Sequence, residues 1–118
     1  MASPKKIRVI QLIDSLEPGG AERMAVSYAN ALYKKTGFGA LITTRAEGSL
    51  KDQLEEKVVY GFLNRKSTLD FKALWHLKKI VVSNKITHIQ AHSSSIFFSV
   101  PLKIITPKIH IIWHDHYG

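Results

Sequence analysis

At 118 residues, with 45% hydrophobic and 22% charged side chains, the chain suits one compact domain and not a disordered segment. It has no cysteine, which excludes disulfides and cysteine-ligated zinc. Its formal charge of +8 favours anionic partners, but the basic residues come as scattered pairs: Lys5–Lys6, Lys34–Lys35, Arg65–Lys66 and Lys78–Lys79.

Such pairs read first as solvated helix faces, then as a contact for an anionic membrane surface. Nucleic acid is not expected, because Phe71 and Trp75 lie beside a predicted buried stripe and read as core, not as stacking platforms. No apolar run approaches the ~20 residues of a spanning helix. The first apolar stretch is interrupted at Arg8, Gln11 and Asp14, which makes a poor secretory leader. The expectation is a cytoplasmic protein, at most peripheral at the inner face of the membrane.

In chain order, residues 7–13 read as a strand apolar on both faces, as in a sheet covered on both sides. Residues 14–20, with Pro18, Gly19 and Gly20, form a loop. Residues 21–35 read as a helix, with Met24, Tyr28 and Leu32 at helical spacing, Glu22 in the first turn, Lys34–Lys35 in the last, and Gly37 as a stop. A short strand over 40–44, a polar short helix over 49–57 and a third strand over 58–63 follow.

A longer helix spans about 70–84, with Ala73, Leu74, Leu77, Ile80 and Val81 as its buried stripe and Thr68 or Asp70 as its cap. Residues 86–91 form a fourth strand. Residues 94–105 form a helix that Pro101 should kink or shorten. Residues 108–113 form a fifth strand.

Alternating strands and helices predict an α/β fold: a Rossmann-like, doubly wound parallel sheet in three α/β/α layers. No closing helix follows the fifth strand, so the domain reads as truncated there.

Ligands of such sheets bind beyond the carboxyl ends of the strands, where the strand order reverses. With the first strand central, three loops meet there: Pro18 to Arg23, His92 to Ser95, and His114 to His116. Gly19 and Gly20 lead into a helix N-terminus, a seat for phosphate or an oxyanion; the alternative is a tight turn needing positive φ. The dinucleotide fingerprint is absent, and Thr43-Thr44-Arg45 offers no acid for a ribose, so nicotinamide binding is not expected.

His92, His114 and His116 fit hydrogen bonding to a sugar or phosphate better than metal ligation, since no metal-binding frame surrounds them. His76, His88 and His110 read as structural or surface residues. Ser93, Ser94 and Ser95 read as helix caps, and no serine sits in a nucleophile elbow.

These motifs, in this order, resemble the N-terminal domain of family-four glycosyltransferases of the GT-B fold. The family's first loop ends Gly-Gly-Ala-Glu-Arg, here Gly19 to Arg23. Its fourth strand ends in a His-Ala-His or similar, here Gln90-Ala91-His92-Ser93. Its fifth ends in an aromatic or threonine, then a histidine and often a glycine, here Trp113 to Gly118.

The resemblance implies a retaining transfer of a sugar from a nucleotide diphosphosugar to a glycan, lipid-linked or small-molecule acceptor. It implies that Gly19 and Gly20 bring amides to the donor, and that His116 is the catalytic histidine beside the donor sugar. His92 would line the acceptor side, with Ser93, His114 and Arg23 completing the substrate-binding set. No metal or dissociable cofactor is implied. Thr87 stands where the family often has an acid.

The family's second Rossmann-like domain, with its basic pair and Glu-x7-Glu motif, is not among the 118 residues. The expectation is that this chain alone transfers no sugar. The alternative is a flavodoxin-like module that holds a phosphorylated ligand at Gly19–Gly20 without chemistry.

Overall fold

The computed structural model describes residues 6–67 and 69–114, apart from the side chains of Ser94 and Phe97. Five parallel strands, β1 (Val9–Ile13), β2 (Ala40–Thr43), β3 (Val59–Phe62), β4 (His88–His92) and β5 (His110–His114), form one sheet in the order β3-β2-β1-β4-β5. The chain steps outward from β1 to β3, crosses back, and steps outward again through β4 and β5. The reversal therefore lies between β1 and β4, as expected. This is the strand order of a Rossmann-like doubly wound fold; a flavodoxin-like sheet would set β1 between the second and third strands.

Helix α1 (Gly20–Thr36) covers one face of the sheet, with Ala25, Val26 and Ala29 packed among Ile13, Leu16 and Leu41. Helices α2 (Phe71–Ser83) and α3 (Ile96–Ile105) cover the other, where Leu77 and Leu102 meet Ile10, Leu12, Ile42 and Ile89. Each of these six is fully buried, contributing about 1.5–3 kcal/mol relative to exposure. Strand alternation explains the split: Ile10 and Leu12 face α2 and α3, whereas Gln11 and Ile13 face α1.

The helix ends follow the sequence signals. Gly37 adopts φ 85° and donates its N–H to the Tyr33 carbonyl, closing α1 with a left-handed residue that glycine alone takes without strain. Asp70 caps α2, its Oδ1 accepting from the Ala73 N–H at 3.1 Å and its Oδ2 from the Lys66 N–H at 2.8 Å. Those backbone donors hold the Asp70 carboxyl below its ordinary pKa. Thr68, the other expected cap, lies outside the described residues.

Three expectations are corrected. The helix expected over 49–57 is only a 3-10 turn, Ser49–Gln53. It is well anchored: Leu50 is buried, and its N–H donates to the Leu16 carbonyl at 3.1 Å. A β-carbon on Gly48 would fall 2.1 Å from the Leu16 carbonyl carbon, so only glycine lets these two loops touch. Pro101 neither ends nor shortens α3, which continues to Ile105. Phe71 and Trp75 are not core: they are 63% and 55% exposed.

Candidate functional site at the carboxyl edge of the sheet

The loops after β1, β2 and β3 are tied together by Asp14, a buried acid on the first residue past β1. Its Oδ1 accepts from the Thr44 hydroxyl at 2.5 Å and from Arg65 Nη2 at 3.4 Å, and its Oδ2 lies 3.6 Å from Arg45 Nη2. Arg65 also donates from Nε to Thr44 Oγ1 at 3.2 Å and from Nη1 to the Ser67 carbonyl at 3.0 Å. Asp14 and Arg65 are about equally shielded from solvent, whereas Arg45 is 59% exposed. Arg45 thus presents a largely exposed cation at the edge, with one Asp14 carboxylate oxygen beside it. Sequence reasoning missed this network, because its members are 30 and 51 positions apart and no local pattern joins them.

Gly19 is the N-cap of α1, with φ −173° and no side-chain cap; Gly20 is the first helical residue. The positive-φ alternative for this pair does not apply, since extended backbone is open to any residue. A β-carbon on Gly20 would meet nothing within 4 Å, and the residue is exposed at the start of the helix. Gly19 is different: a β-carbon there would fall 2.5 Å from Glu22 Oε1. The Glu22 carboxylate therefore sits over the positive end of the helix dipole, where an anionic ligand would also be drawn. Arg23 is exposed on the first turn, and its N–H makes the first helical bond to the Gly19 carbonyl at 3.0 Å.

The histidines lie on the α1 face of β4 and β5. The sequence signal is period-two alternation: H-I-Q-A-H and H-I-I-W-H put His88, Gln90 and His92 beside His110, Ile112 and His114. His92 is completely buried, and its Nε2 donates to Gln11 Oε1 at 2.6 Å. The Nε2 of that Gln11 amide has no partner among the described residues. His114, partly buried, has its Nδ1 3.0 Å from Gln90 Nε2. The two imidazoles stack at 5.4 Å, and the Tyr28 ring of α1 lies 6.0 Å from His92 and 5.6 Å from His114.

Ser93 follows at φ 54°, a left-handed residue that turns the chain from β4 into the 3-10 turn Ser93–Ser95. Its carbonyl accepts from Trp113 Nε1 at 3.2 Å, which joins the ends of β4 and β5. Ser95 is buried, with its hydroxyl 2.8 Å from both the Leu12 and the His92 carbonyl oxygens.

The structure thus brings Gly19, Gly20, Arg23, His92, Ser93 and His114 to one edge of one sheet, but gives them different standing. Gly20 and Arg23 face solvent, His114 is partly covered, and His92 is sealed behind Tyr28 and Gln11. His116 lies outside the described residues. Among the described residues, no group of three or more His, Asp or Glu side chains stands close enough to hold a metal ion.

The same edge carries a cavity of about 370 Å³ between the end of β3 and the start of α2, lined by Asn64, Lys66, Asp70, Lys72 and His76 among others. It lies beyond β2, away from the reversal between β1 and β4. At the opposite edge, His88 and His110 stack at 4.8 Å, and burial together with the His110 charge pushes the His88 pKa below its ordinary 6.5. Among the described residues, no helix is long and apolar enough to cross a membrane. No protein-family model and no curated protein matches the chain.

Proposed function

We propose that the chain is the acceptor-side, N-terminal Rossmann-like domain of a retaining glycosyltransferase that draws its sugar from a nucleotide diphosphosugar. The observation that carries this reading is the exposed N-terminus of α1 at Gly19–Gly20, which has no side-chain cap and lies on the edge that also holds the ends of β4 and β5. An N-terminal helix amide answers the charge that develops on a leaving diphosphate, and Arg45 adds a cation on the same edge. The resemblance of Gly19 to Arg23, of His92–Ser93 and of the residues from Trp113 onward supports the same class of reaction.

In this reading Gly19, Gly20 and Arg23 bind the donor side, and Ser93 and His114 stand nearest the acceptor. His92 is a positioning residue: its ring supports His114 and Tyr28 from behind instead of touching a ligand. His116 remains the candidate catalytic histidine. The acceptor class is a glycan or a lipid-linked or small molecule. One Rossmann-like domain supplies one wall of a two-walled site, so the purified 118-residue chain is expected to bind donor weakly and to transfer no sugar.

The test is substitution at Gly20. Gly20→Ala fits the open space and is expected to fold normally. Gly20→Asp places a negative charge beside the seat and should abolish calorimetric binding of a nucleotide diphosphosugar. Equal binding by both variants would contradict the reading, as would sugar transfer by the chain alone.

A further inference from the structure

The amino edge of the sheet, opposite the candidate site, carries two adjoining hollows that share Lys6 and Thr87. One, of about 310 Å³, lies where β4 and β5 begin and is lined by Lys6, Thr87, His88, Thr106, Lys108 and His110 among others. The other, of about 390 Å³, is lined by Lys6, Arg8, Lys85 and Thr87. Each falls in the ~300–1,000 Å³ range of small-molecule sites. No aspartate or glutamate lines either one.

Strand register explains how these groups meet. His88 and His110 are the first residues of β4 and β5 and are direct partners across the parallel pair. Their side chains therefore leave the sheet on one face, and the rings stack at 4.8 Å. Thr87 pins the chain just before them: its Oγ1 accepts from the Arg8 N–H at 2.9 Å and lies 2.7 Å from His88 Nδ1. That contact occupies one nitrogen of His88 and leaves Nε2 for a ligand. Thr106 Oγ1 is buried and has no hydrogen-bond partner among the described residues. A buried hydroxyl is ordinarily paired, so the wall of this hollow holds an unused donor.

Positive charge at this edge exceeds what the helix ends absorb. Helices α2 and α3 both finish here, and each C-terminus carries roughly half a negative charge. Arg8 Nε donates to the Asn84 carbonyl at 2.6 Å, and Lys103 Nζ donates to the Pro107 and Ile109 carbonyls at 3.0 and 2.5 Å. Those two cations answer the backbone. Lys6, Lys85 and Lys108 are exposed and form no ion pair among the described residues.

A divalent metal is a poor occupant, because it would find two imidazoles, no carboxylate and three repelling ammonium groups. The donors come from three segments of chain, before β1, at the start of β4 and before β5. A carboxylate offers two oxygens to them, whereas a phosphoryl group offers three and nearly two negative charges.

We propose that the amino edge between β1, β4 and β5 binds a terminal phosphoryl group, free or carried by a small molecule. Lys6, Lys108 and the Thr106 hydroxyl donate to its oxygens, and the His88–His110 pair closes the seat. Arg8 and Lys85 add attraction from the second hollow. Ile86 and Ile109, which complete the wall of the first, back the organic part of a phosphomonoester. A nucleotide diphosphosugar has no terminal phosphoryl group, so this site is separate from the one at α1 and does not rest on the glycosyltransferase reading.

NMR of backbone amides and imidazoles in the purified chain tests it, with inorganic phosphate and propyl phosphate each titrated to about 50 mM against sodium chloride at equal ionic strength. Saturable shifts are expected at Thr87, His88, Thr106, Lys108 and His110 with the phosphates and not with chloride. Tighter binding of propyl phosphate assigns the seat to a phosphomonoester, and equal affinity assigns it to free phosphate. Bound phosphate should also move the His88 titration midpoint upward, because an adjacent anion favours the imidazolium.

Thr106→Val should keep its stability, since the hydroxyl has no partner to lose, and weaken phosphate about threefold or more. Lys6→Ala with Lys108→Ala should weaken it by up to about fivefold per lysine. Lys78→Ala with Lys79→Ala removes the same charge from α2 and should bind as the parent does. No phosphate shift at the amino edge would overturn the proposal, as would equal loss in the Lys78/Lys79 variant or unchanged binding in the Thr106 and Lys6/Lys108 variants. A single-stranded oligonucleotide that drives phosphate off the same residues at far lower concentration would overturn it in favour of nucleic acid.

Discussion

His92 Nε2 and Gln11 Oε1 lie 2.6 Å apart, and both side chains are completely buried. The pair joins β1 to β4 at the point where the strand order reverses. His92→Ala would take the Nε2 donor away from the buried Gln11 Oε1 and open a cavity under Tyr28. The expected loss is about 3 kcal/mol of stability in urea denaturation. His114→Ala, at a partly exposed position, should cost about 1 kcal/mol or less. The reverse ranking would show that His92 is not the buried support described above.

The Asp14–Arg65 pair is expected to matter far more than the surface ion pairs. Asp14→Ala leaves a largely buried guanidinium without its carboxylate and should cost about 3 kcal/mol, little changed by salt. Glu55→Ala, which removes the exposed partner of Lys34, should cost about 0.5 kcal/mol or less and vanish in salt. Paired denaturation curves at low and high ionic strength check both.

Gly48→Ala should destabilise the chain by about 1–3 kcal/mol, because the new methyl would meet the Leu16 backbone and not a movable side chain. Gly20→Ala is the control, with nothing within 4 Å of its new carbon. Equal stability of the two variants would contradict the close contact between the loops after β1 and β2.

His88 links stability to pH. Its folded pKa lies below the ordinary 6.5, through burial first and the His110 charge second. The unfolded chain therefore takes up a proton at a higher pH than the folded one. The contribution of His88 is fully present above about 6.5 and is lost as pH falls through the interval down to the depressed folded value. An imidazole NMR titration should place the His88 midpoint below the ordinary value, and His110→Gln should raise it.

The alternation of elements was legible because turn chemistry punctuates it: Pro18–Gly20, Gly37 and Asp70 each stand where an element begins or ends. The chemistry of the edge was only half legible. Gly19–Gly20 announces a helix N-terminus locally, whereas Asp14, Thr44 and Arg65 meet only once three parallel strands are in register. The burial of His92 follows from strand alternation combined with α1 lying overhead, and the second condition is tertiary. Phe71 and Trp75 were misread because α2 is apolar on more than one stripe, and hydropathy alone does not say which stripe faces the sheet.

Glu22 holds the place of an anion at the start of α1. Glu22→Gln should remove the repulsion and raise the affinity for inorganic pyrophosphate about threefold, with a small loss of helix stability as the favourable dipole interaction goes. Calorimetric titration of parent and variant checks this; weaker pyrophosphate binding by the variant would place the anion elsewhere.

The most direct measurement is a map of backbone amide shifts as a nucleotide diphosphosugar is titrated to about 10 mM, a range that captures millimolar affinity. The account predicts saturable shifts at Gly19, Gly20 and Arg23, with smaller ones at Ser93 and His114. Shifts confined to the opposite edge around His88 and His110, or none at the start of α1, would contradict it.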